Sequence, residues 1–254
     1  MAKKIPGTVV WNPYLQRNMH KLRDYDKDGE TRALYSDMLP KFVAHLKRRL
    51  KNHRQNIIAI DGGTGSGKST IMILAASLQD KQFMTDPEGT FKDTYVYYKS
   101  DMAGRLDRII SQTNKCNINL FDEGSVILNS TNGRKTEDND LIVLFDILRS
   151  WGMTTYVCVP DYNDLNNKFK AHLIDYRISC PDEPLVPGYN SRGFYEIYKP
   201  SKMTFAKGVW WQCIGAGVYG PLPKKLDEPY QAIKKQHQVA QTQKYIEKYL
   251  KGGQ

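Results

Sequence analysis

Short apolar runs and stretches with helical spacing alternate along the middle of the chain. The apolar runs predict buried strands at NIIAI (56–60), DTYVYYK (93–99), CNINLF (116–121), TTYVCV (154–159) and YRISC (176–180). Between and before them, apolar residues at helical spacing predict helices that begin near 40 and cover 69–78, 102–112, 141–151 and 165–173. Strands that alternate with helices predict an α/β fold, in which a mostly parallel sheet is flanked by helices on both faces.

The two ends of the chain differ from this middle part. Residues 1–54 predict a polar N-terminal segment followed by a basic helix, and residues 55–180 contain the predicted α/β core. In residues 181–254, the runs GFYEIYK and GVWWQCI predict an appended antiparallel hairpin, and a lysine-rich helix is expected from Pro229 to Leu250.

The predicted basic helix carries one apolar face, and lysine and arginine occupy most of its other positions. This pattern is typical of a solvated surface helix, and it would equally suit a contact with nucleic acid. The chain of 254 residues has a formal net charge of +10, which favours anionic partners and nucleic acid first, although a generic basic surface would give the same total.

Several protein classes are not indicated by the sequence. No apolar run approaches the length of a membrane helix, and no signal-peptide pattern follows the first lysines. The four cysteines lie far apart, so they indicate neither a zinc site nor a disulfide framework. We therefore expect a protein without a transmembrane segment in a reducing, cytoplasmic compartment.

A phosphate-binding motif lies between the first predicted core strand and its helix. GGTGSGKST (62–70) matches G-x-x-x-x-G-K-[ST], with the lysine at Lys68 and the hydroxyl at Ser69. Glycines allow backbone N–H groups to surround a phosphate, the lysine reaches the β- and γ-phosphates, and the hydroxyl ligates magnesium. The residues predicted to bind ATP are Gly62, Gly63, Thr64, Gly65, Ser66, Gly67, Lys68, Ser69 and Thr70.

Two adjacent acids end the strand CNINLF. This arrangement has the form of a Walker B strand, in which Asp122 is the second magnesium ligand beside Ser69. A metal ligand does not need a neighbouring glutamate, whereas a hydrolase needs a group that activates water. We therefore predict Glu123 as the general base, the alternative being a solvated carboxylate at a strand end.

The order of these motifs resembles the FtsK–HerA group of P-loop ATPases. The resemblance covers about residues 55–180 and is carried by IDGGTGSGKST, then INLFDEGSVILNS, then LFDILRSWGMTTYVCVPDYNDLN. That group includes DNA translocases, viral genome-packaging ATPases and the zonular-occludens-toxin-like proteins of filamentous phages. The P-loop is specific to the superfamily, and the later motifs contribute mainly through their order.

The resemblance implies further features. It implies a RecA-like core in which strand 154–159 lies between the P-loop strand and the CNINLF strand, and a homo-oligomeric ring, often hexameric, with ATP between subunits. An arginine would enter the neighbour's site, with Arg149 and Arg134 as nearly equal catalytic candidates and Arg177 behind them. Where the group often has a glutamine sensor, this chain offers Asn163, for which a turn-forming role is the alternative.

The sequence therefore predicts a Mg²⁺-dependent ATPase that packages or translocates DNA, expected to be double-stranded, in a virus or mobile element. A capsid or membrane protein would be a further partner, and the location would be the host cytoplasm or the virion. Two alternatives stay open. One is a nucleoside or nucleotide kinase of the P-loop class, and the other is a nucleotide-switched virion assembly factor.

Overall fold

The computed structural model describes residues 9–12, 17–21, 34–36, 38–124, 145, 151–165, 169–170, 173–181, 193–201 and 210–251. The strands are β1 Val9–Asn12, β2 Arg17–Lys21, β3 Leu34–Ser36, β4 Asn56–Asp61, β5 Ile118–Phe121, β6 Thr154–Val159, β7 Tyr176–Ser179, β8 Phe194–Ser201 and β9 Trp210–Val218. The α-helices are α1 Met38–Lys51, α2 Lys68–Gln79, α3 Gln82–Thr85, α4 Pro87–Thr94, α5 Lys99–Ile110 and α6 Lys224–Lys251.

The main sheet has six strands in the order β5-β6-β4-β7-β8-β9, and β1, β2 and β3 form a separate antiparallel sheet. Strands β5, β6, β4 and β7 are parallel to one another, whereas β8 is antiparallel to both β7 and β9. The predicted α/β class with a mostly parallel sheet and helices on both faces is confirmed. The expected position of strand 154–159 between the P-loop strand and the 118–121 strand is also confirmed.

The central strand β4 is buried on both faces, which explains its continuous apolar run. Ile58 and Ile60 join the core layer that contains α1 and α2, whereas Ile57 and Ala59 join the opposite layer, which includes Met102 of α5. Because side chains alternate across a strand, one short segment anchors helices on both sides of the sheet. The residues that follow β4 therefore start from a rigid position.

The prediction of a strand over 93–99 was wrong. Residues up to Thr94 belong to α4, and Tyr95 makes only a single parallel bridge to Leu120 of β5. A helix start explains this result, because Asp86 accepts a hydrogen bond from the N–H of Gly89 and a proline follows at the first helical position. The aromatic run that resembles a strand instead packs at the side of β5, where Val96 N donates to Leu120 O at 2.8 Å.

A buried cluster of polar contacts around Arg105 links α5 to β5. The fully buried Arg105 of α5 donates to Asp93 at 2.5 Å and to the side chain of Asn119 at 3.0 Å. It also donates to the backbone oxygens of Cys116 and Ile118. An unpaired buried arginine would be very costly, so these contacts hold β5 in one position.

The predicted hairpin is present and is joined to the main sheet, because β8 pairs with β7 as well as with β9. The predicted C-terminal helix is also present, and it begins earlier than expected, at Lys224. None of the described helices is long and apolar enough to cross a membrane.

Candidate nucleotide-binding site

The P-loop connects β4 to α2 as the sequence predicts. Asp61 is the last residue of β4, and Lys68 is the first residue of α2. Gly67 precedes the helix with φ of 95°, in the left-handed region that only glycine adopts at low cost. The first N–H groups of a helix have no partner within the helix, so this end of α2 offers donors and a positive dipole to an anion.

Lys68 lies over the loop that precedes it. Its Nζ donates to the backbone oxygen of Gly62 at 2.5 Å and to that of Gly63 at 2.7 Å. These bonds hold the ammonium group beside the loop's backbone, in a place from which it can reach a phosphate. The side chain is only partly exposed, and it lines a cavity of about 590 Å³.

Asp122 is the most heavily bonded carboxylate of this cavity. Its Oδ1 accepts a hydrogen bond from Ser69 Oγ, the hydroxyl that follows the P-loop lysine. Its Oδ2 accepts from Tyr230 at 2.7 Å, from Lys234 at 2.7 Å and from Tyr95 at 3.3 Å. The side chain of Asp122 is only 1% exposed, so these donors replace water around a buried charge.

The groups around Asp122 keep their protons because of this environment. Burial and then the Asp122 charge raise the pKa of the Tyr95 and Tyr230 phenols, so both remain donors. Burial alone would lower the pKa of the Lys234 ammonium. The Asp122 carboxylate outweighs that effect, and the pKa of Lys234 is raised, so the lysine remains charged.

Glu123 lies on the wall of the same cavity, next to Asp122. Burial and then the negative charge of Asp122 raise the pKa of the Glu123 carboxyl, while Lys234 and Lys68 act in the opposite direction. A carboxylate with a raised pKa is a better proton acceptor than a solvated one, which suits a general base. Both predicted acids therefore line the cavity that the P-loop lines, and Asp122 contacts its Ser69 directly.

The third wall of the cavity comes from the segment after β9 and from α6. Tyr219 to Leu222 lie along it, and Asp227, Tyr230, Gln231 and Lys234 of α6 complete it. The hydroxyl of Tyr219 donates to the backbone oxygen of Gly67 at 2.9 Å and lies 3.3 Å from that of Ser66. The C-terminal part of the chain is therefore bonded directly to the P-loop.

The oxygen atoms of Ser69 and Asp122 are suitable ligands for a magnesium ion. A serine hydroxyl and an aspartate carboxylate are hard oxygen ligands of the type that Mg²⁺ selects, and here they are in direct contact at the cavity wall. No cluster of three or more histidine, cysteine or acidic residues with metal-binding geometry occurs among the described residues. A metal at this place would therefore rely on Ser69, Asp122, the nucleotide and water.

The other predicted residues have different placements. Arg134 and Arg149 lie outside the described residues. Arg177 forms a two-point ion pair with Asp61 at 2.6 and 2.7 Å and stacks over the ring of Tyr162, so it is engaged within its own chain. Asn163 is exposed in a short 3₁₀ turn, where its N–H donates to Asp161 at 2.8 Å; it is not among the residues that line the cavity.

The contribution of α6 to the site is not predicted by sequence reasoning. The helix appears only as a lysine-rich segment, although Tyr230 and Lys234 stand four residues apart and share one face. His237 and Gln241 continue that face, with the His237 ring stacked on Tyr97 at 5.3 Å. A stripe of aromatic and amide residues within a lysine-rich helix was the available signal.

A substitution series at two glycines tests the P-loop conformation. A Cβ at Gly67 would lie 2.2 Å from the Tyr219 hydroxyl, whereas one at Gly65 (φ of 84°) would meet nothing within 4 Å. We expect Gly65→Ala to cost about 1–2 kcal/mol of unfolding free energy from the left-handed conformation alone. Gly67→Ala should lower the unfolding free energy by more than Gly65→Ala does, because its Cβ also meets the Tyr219 hydroxyl. Adding Tyr219→Phe to Gly67→Ala should recover only this additional loss.

Urea unfolding of the unmodified protein and of these three variants measures the free energies, and titration with ATP measures the affinity. Equal costs at the two glycines would contradict the close contact between Tyr219 and the P-loop.

Comparisons with solved structures return proteins with low sequence identity. One is the genome-packaging NTPase B204 from Sulfolobus turreted icosahedral virus 2, in complex with ATP-gammaS, at 12% identity and a TM-score of 0.36 over 57% of this chain and 92% of that one. Another is the N-terminal domain of the zonular occludens toxin from Neisseria meningitidis, at 15% identity and a TM-score of 0.34 over 68% and 98%. A third is the KaiC-like protein PH0186 from Pyrococcus horikoshii OT3, at 12% identity and a TM-score of 0.33. The match covers 65% of this chain and 89% of that one.

The first two are of kinds that the sequence resemblance names, a viral packaging NTPase and a zonular occludens toxin. No family model matches the sequence, and no curated protein matches it. The TM-scores are low, so these structures do not indicate the function of this chain; the P-loop, the paired acids and the cavity that they line do.

Proposed function

We propose that this protein is a magnesium-dependent P-loop ATPase that couples ATP hydrolysis to the packaging or translocation of DNA. One observation carries the hydrolytic part. Asp122 and Glu123 line the same cavity as Lys68 and Ser69, and Asp122 is hydrogen-bonded to Ser69. A carboxylate beside the metal ligand, facing the phosphate-binding loop, supports water as the acceptor of the phosphoryl group.

The residues of the cavity divide the work as follows. Lys68 and the N–H groups at the start of α2 bind the phosphates, and Ser69 and Asp122 would hold the magnesium ion. When bound, that ion neutralises charge on the phosphate oxygens. Glu123 accepts a proton from the attacking water as its oxygen bonds to the γ-phosphorus, and the bond to the leaving ADP oxygen breaks. An arginine of a neighbouring subunit in a ring, Arg149 or Arg134, would stabilise the transferred phosphoryl group.

Two observations support DNA as the polymer that is moved. The net charge is +10, and α1 together with the residues after it exposes five basic side chains. They are Lys41, Lys47, Arg48, Lys51 and Arg54. Leu39, Phe42, Val43 and Leu46 are buried, so the predicted division of this helix into an apolar and a basic face is confirmed. A basic surface of this kind binds a phosphate backbone without reading its sequence.

An ATPase assay with and without double-stranded DNA tests this proposal. We expect Mg²⁺-dependent phosphate release that DNA stimulates, and stimulation that declines between about 50 and 200 mM salt because the contact is electrostatic. A second arm offers nucleosides and nucleotides as acceptors. Turnover on such an acceptor, without DNA stimulation, would contradict the motor and indicate a kinase.

A pair of charge-matched variants locates the DNA contact. Lys47→Gln/Lys51→Gln should lose most of the stimulation and keep the basal rate, because both lysines are exposed and neither lines the cavity. Lys81→Gln/Lys92→Gln removes the same charge from exposed positions of another region and should keep the stimulation. Equal losses in the two variants would indicate a general charge effect instead of a surface on α1.

The proposal extends to the wider setting. A motor of this kind would act as a homo-oligomeric ring, which is often hexameric in the group that the sequence resembles, with a capsid or membrane protein as its docking partner. It would work in the host cytoplasm or on the virion.

A further inference from the structure

Helix α6 places a second cation in the nucleotide cavity. Among the described residues that line this cavity, the only positively charged ones are Lys68 of the P-loop and Lys234 of α6. They come from segments far apart in the chain. The acids Asp122, Glu123 and Asp227 also line the cavity. A bound polyphosphate would therefore meet three acidic side chains and only these two basic ones among the described residues.

The position of Lys234 is fixed by the packing of its helix. Tyr230 and Ile233 are buried on the same side of α6, and the His237 ring stacks on Tyr97. The side chain of Lys234 is 22% exposed, and its Nζ lies 2.7 Å from Asp122 Oδ2 and 3.2 Å from the Tyr230 hydroxyl. This ammonium group is therefore held at the cavity wall, unlike a surface lysine with many conformations.

A purely structural role explains these contacts poorly. Asp122 already accepts hydrogen bonds from Ser69, Tyr95 and Tyr230 without the lysine. Burying an ammonium group to add a fourth donor gains little, because its desolvation offsets the attraction. An ammonium also has three N–H donors, and only two of those on Lys234 have acceptors among the residues that the structure describes.

We propose that Lys234 is a second phosphate-binding lysine, which leaves Asp122 and binds the terminal phosphate of a nucleoside triphosphate. This inference rests on the nucleotide site of the proposed function and does not depend on DNA. Lys234 is linked to Ser69 through Asp122, so its Nζ stands near the first turn of α2, where the P-loop would hold the phosphates. Its flexible four-carbon stem allows a movement of a few ångströms, and the release of Asp122 removes one of the contacts that hold α6 in place.

Electrostatics favours this transfer. A divalent cation held by Ser69 and Asp122 would repel the Lys234 ammonium and weaken its attraction to the carboxylate. The γ-phosphate oxygens of a triphosphate offer the stronger negative charge nearby, whereas a diphosphate lacks them. The consequence is a preference for triphosphate over diphosphate that depends on Lys234, with Lys68 contributing to both.

Calorimetric titration with a non-hydrolysable ATP analogue and with ADP tests the assignment. We expect Lys234→Met, in the presence of Mg²⁺, to weaken binding of the triphosphate about tenfold or more, as for the loss of a charged hydrogen bond. Affinity for ADP should change by less than about twofold. Lys235→Met, at the adjacent exposed position of the same helix, should leave both affinities unchanged.

The outcomes separate this inference from the function on which it rests. If the Lys234→Met variant binds the triphosphate as well as the unmodified protein, or better, then Lys234 is only a partner of Asp122 and the assignment is wrong. If the unmodified protein binds no nucleotide, or binds it independently of Lys68, the proposed function fails instead.

Hydrogen exchange in the unmodified protein gives a second test, which does not require the variant to fold. The amides of α6 around Lys234 should change protection with the triphosphate analogue and not with ADP. Identical exchange with the two nucleotides would also overturn the assignment.

Discussion

Glu123→Gln is expected to lower the rate of ATP hydrolysis by about 10²–10⁴-fold, the range for loss of a general base. The amide keeps the size of the side chain but cannot accept a proton from water. Nucleotide affinity should be retained, because Lys68, Ser69 and Asp122 are unchanged. Phosphate release and calorimetric titration on the same preparation measure the two quantities.

Glu228→Gln is a suitable control for this substitution. Glu228 is exposed near the start of α6 and does not line the cavity, so its replacement should leave hydrolysis unchanged. Full hydrolysis by Glu123→Gln would mean that this carboxylate is a solvated group at a strand end. Loss of affinity together with hydrolysis would instead indicate that the glutamate helps to hold the metal or the nucleotide.

Lys68→Ala is expected to have an effect of similar size, but on binding and turnover together. The substitution removes the charge that binds the β- and γ-phosphates and also the donor to Gly62 and Gly63. Removing one such electrostatic contact typically costs about 10²–10³ in rate, and the loop loses its internal bonds as well. Steady-state hydrolysis and titration with ATP provide the measurement.

An exposed lysine elsewhere controls for the loss of charge. Lys81→Ala removes the same charge beside α3, outside the cavity, and should bind and hydrolyse ATP normally. Thermal unfolding of both variants shows whether Lys68→Ala remains folded. Normal affinity in a folded Lys68→Ala variant would exclude the P-loop as the site of nucleotide binding.

The parts of this fold that could be predicted from the sequence depend on local patterns. The continuous apolar run of β4, the glycines after it and the acids after β5 each have a short-range physical cause, and the structure places all three as expected. The order of the central strands came from the family resemblance and not from the apolar pattern, which does not encode neighbours in a sheet. Segment 93–99 was misjudged because a β-rich aromatic run outweighed the helix-start signals at Asp86 and Pro87.

The third wall of the cavity could not be predicted in the same way. Lys234 and Asp122 are separated by 112 positions, and their contact depends on how α6 packs against α4 and α3. A lysine-rich helix is ordinarily exposed to solvent, so the composition of α6 predicts an exposed Lys234, whereas this side chain is mostly buried. Arg177 is a second case that the sequence alone does not predict: it was the third candidate for an arginine that enters a neighbour's site, and it is paired with Asp61 of its own chain.

Because α6 is long, a small rotation of the helix at the cavity would move its C-terminal end by several ångströms. Beyond Lys234 the helix continues to Lys251, and Tyr245, Ile246, Tyr249 and Leu250 are exposed along this part. Leu250 follows Lys234 by about sixteen residues, which at about 1.5 Å per residue corresponds to about 24 Å of stiff helix. A tilt of about 10° at the cavity would move this tip by about 4 Å, so α6 has the dimensions of a lever arm whose short end touches the nucleotide site.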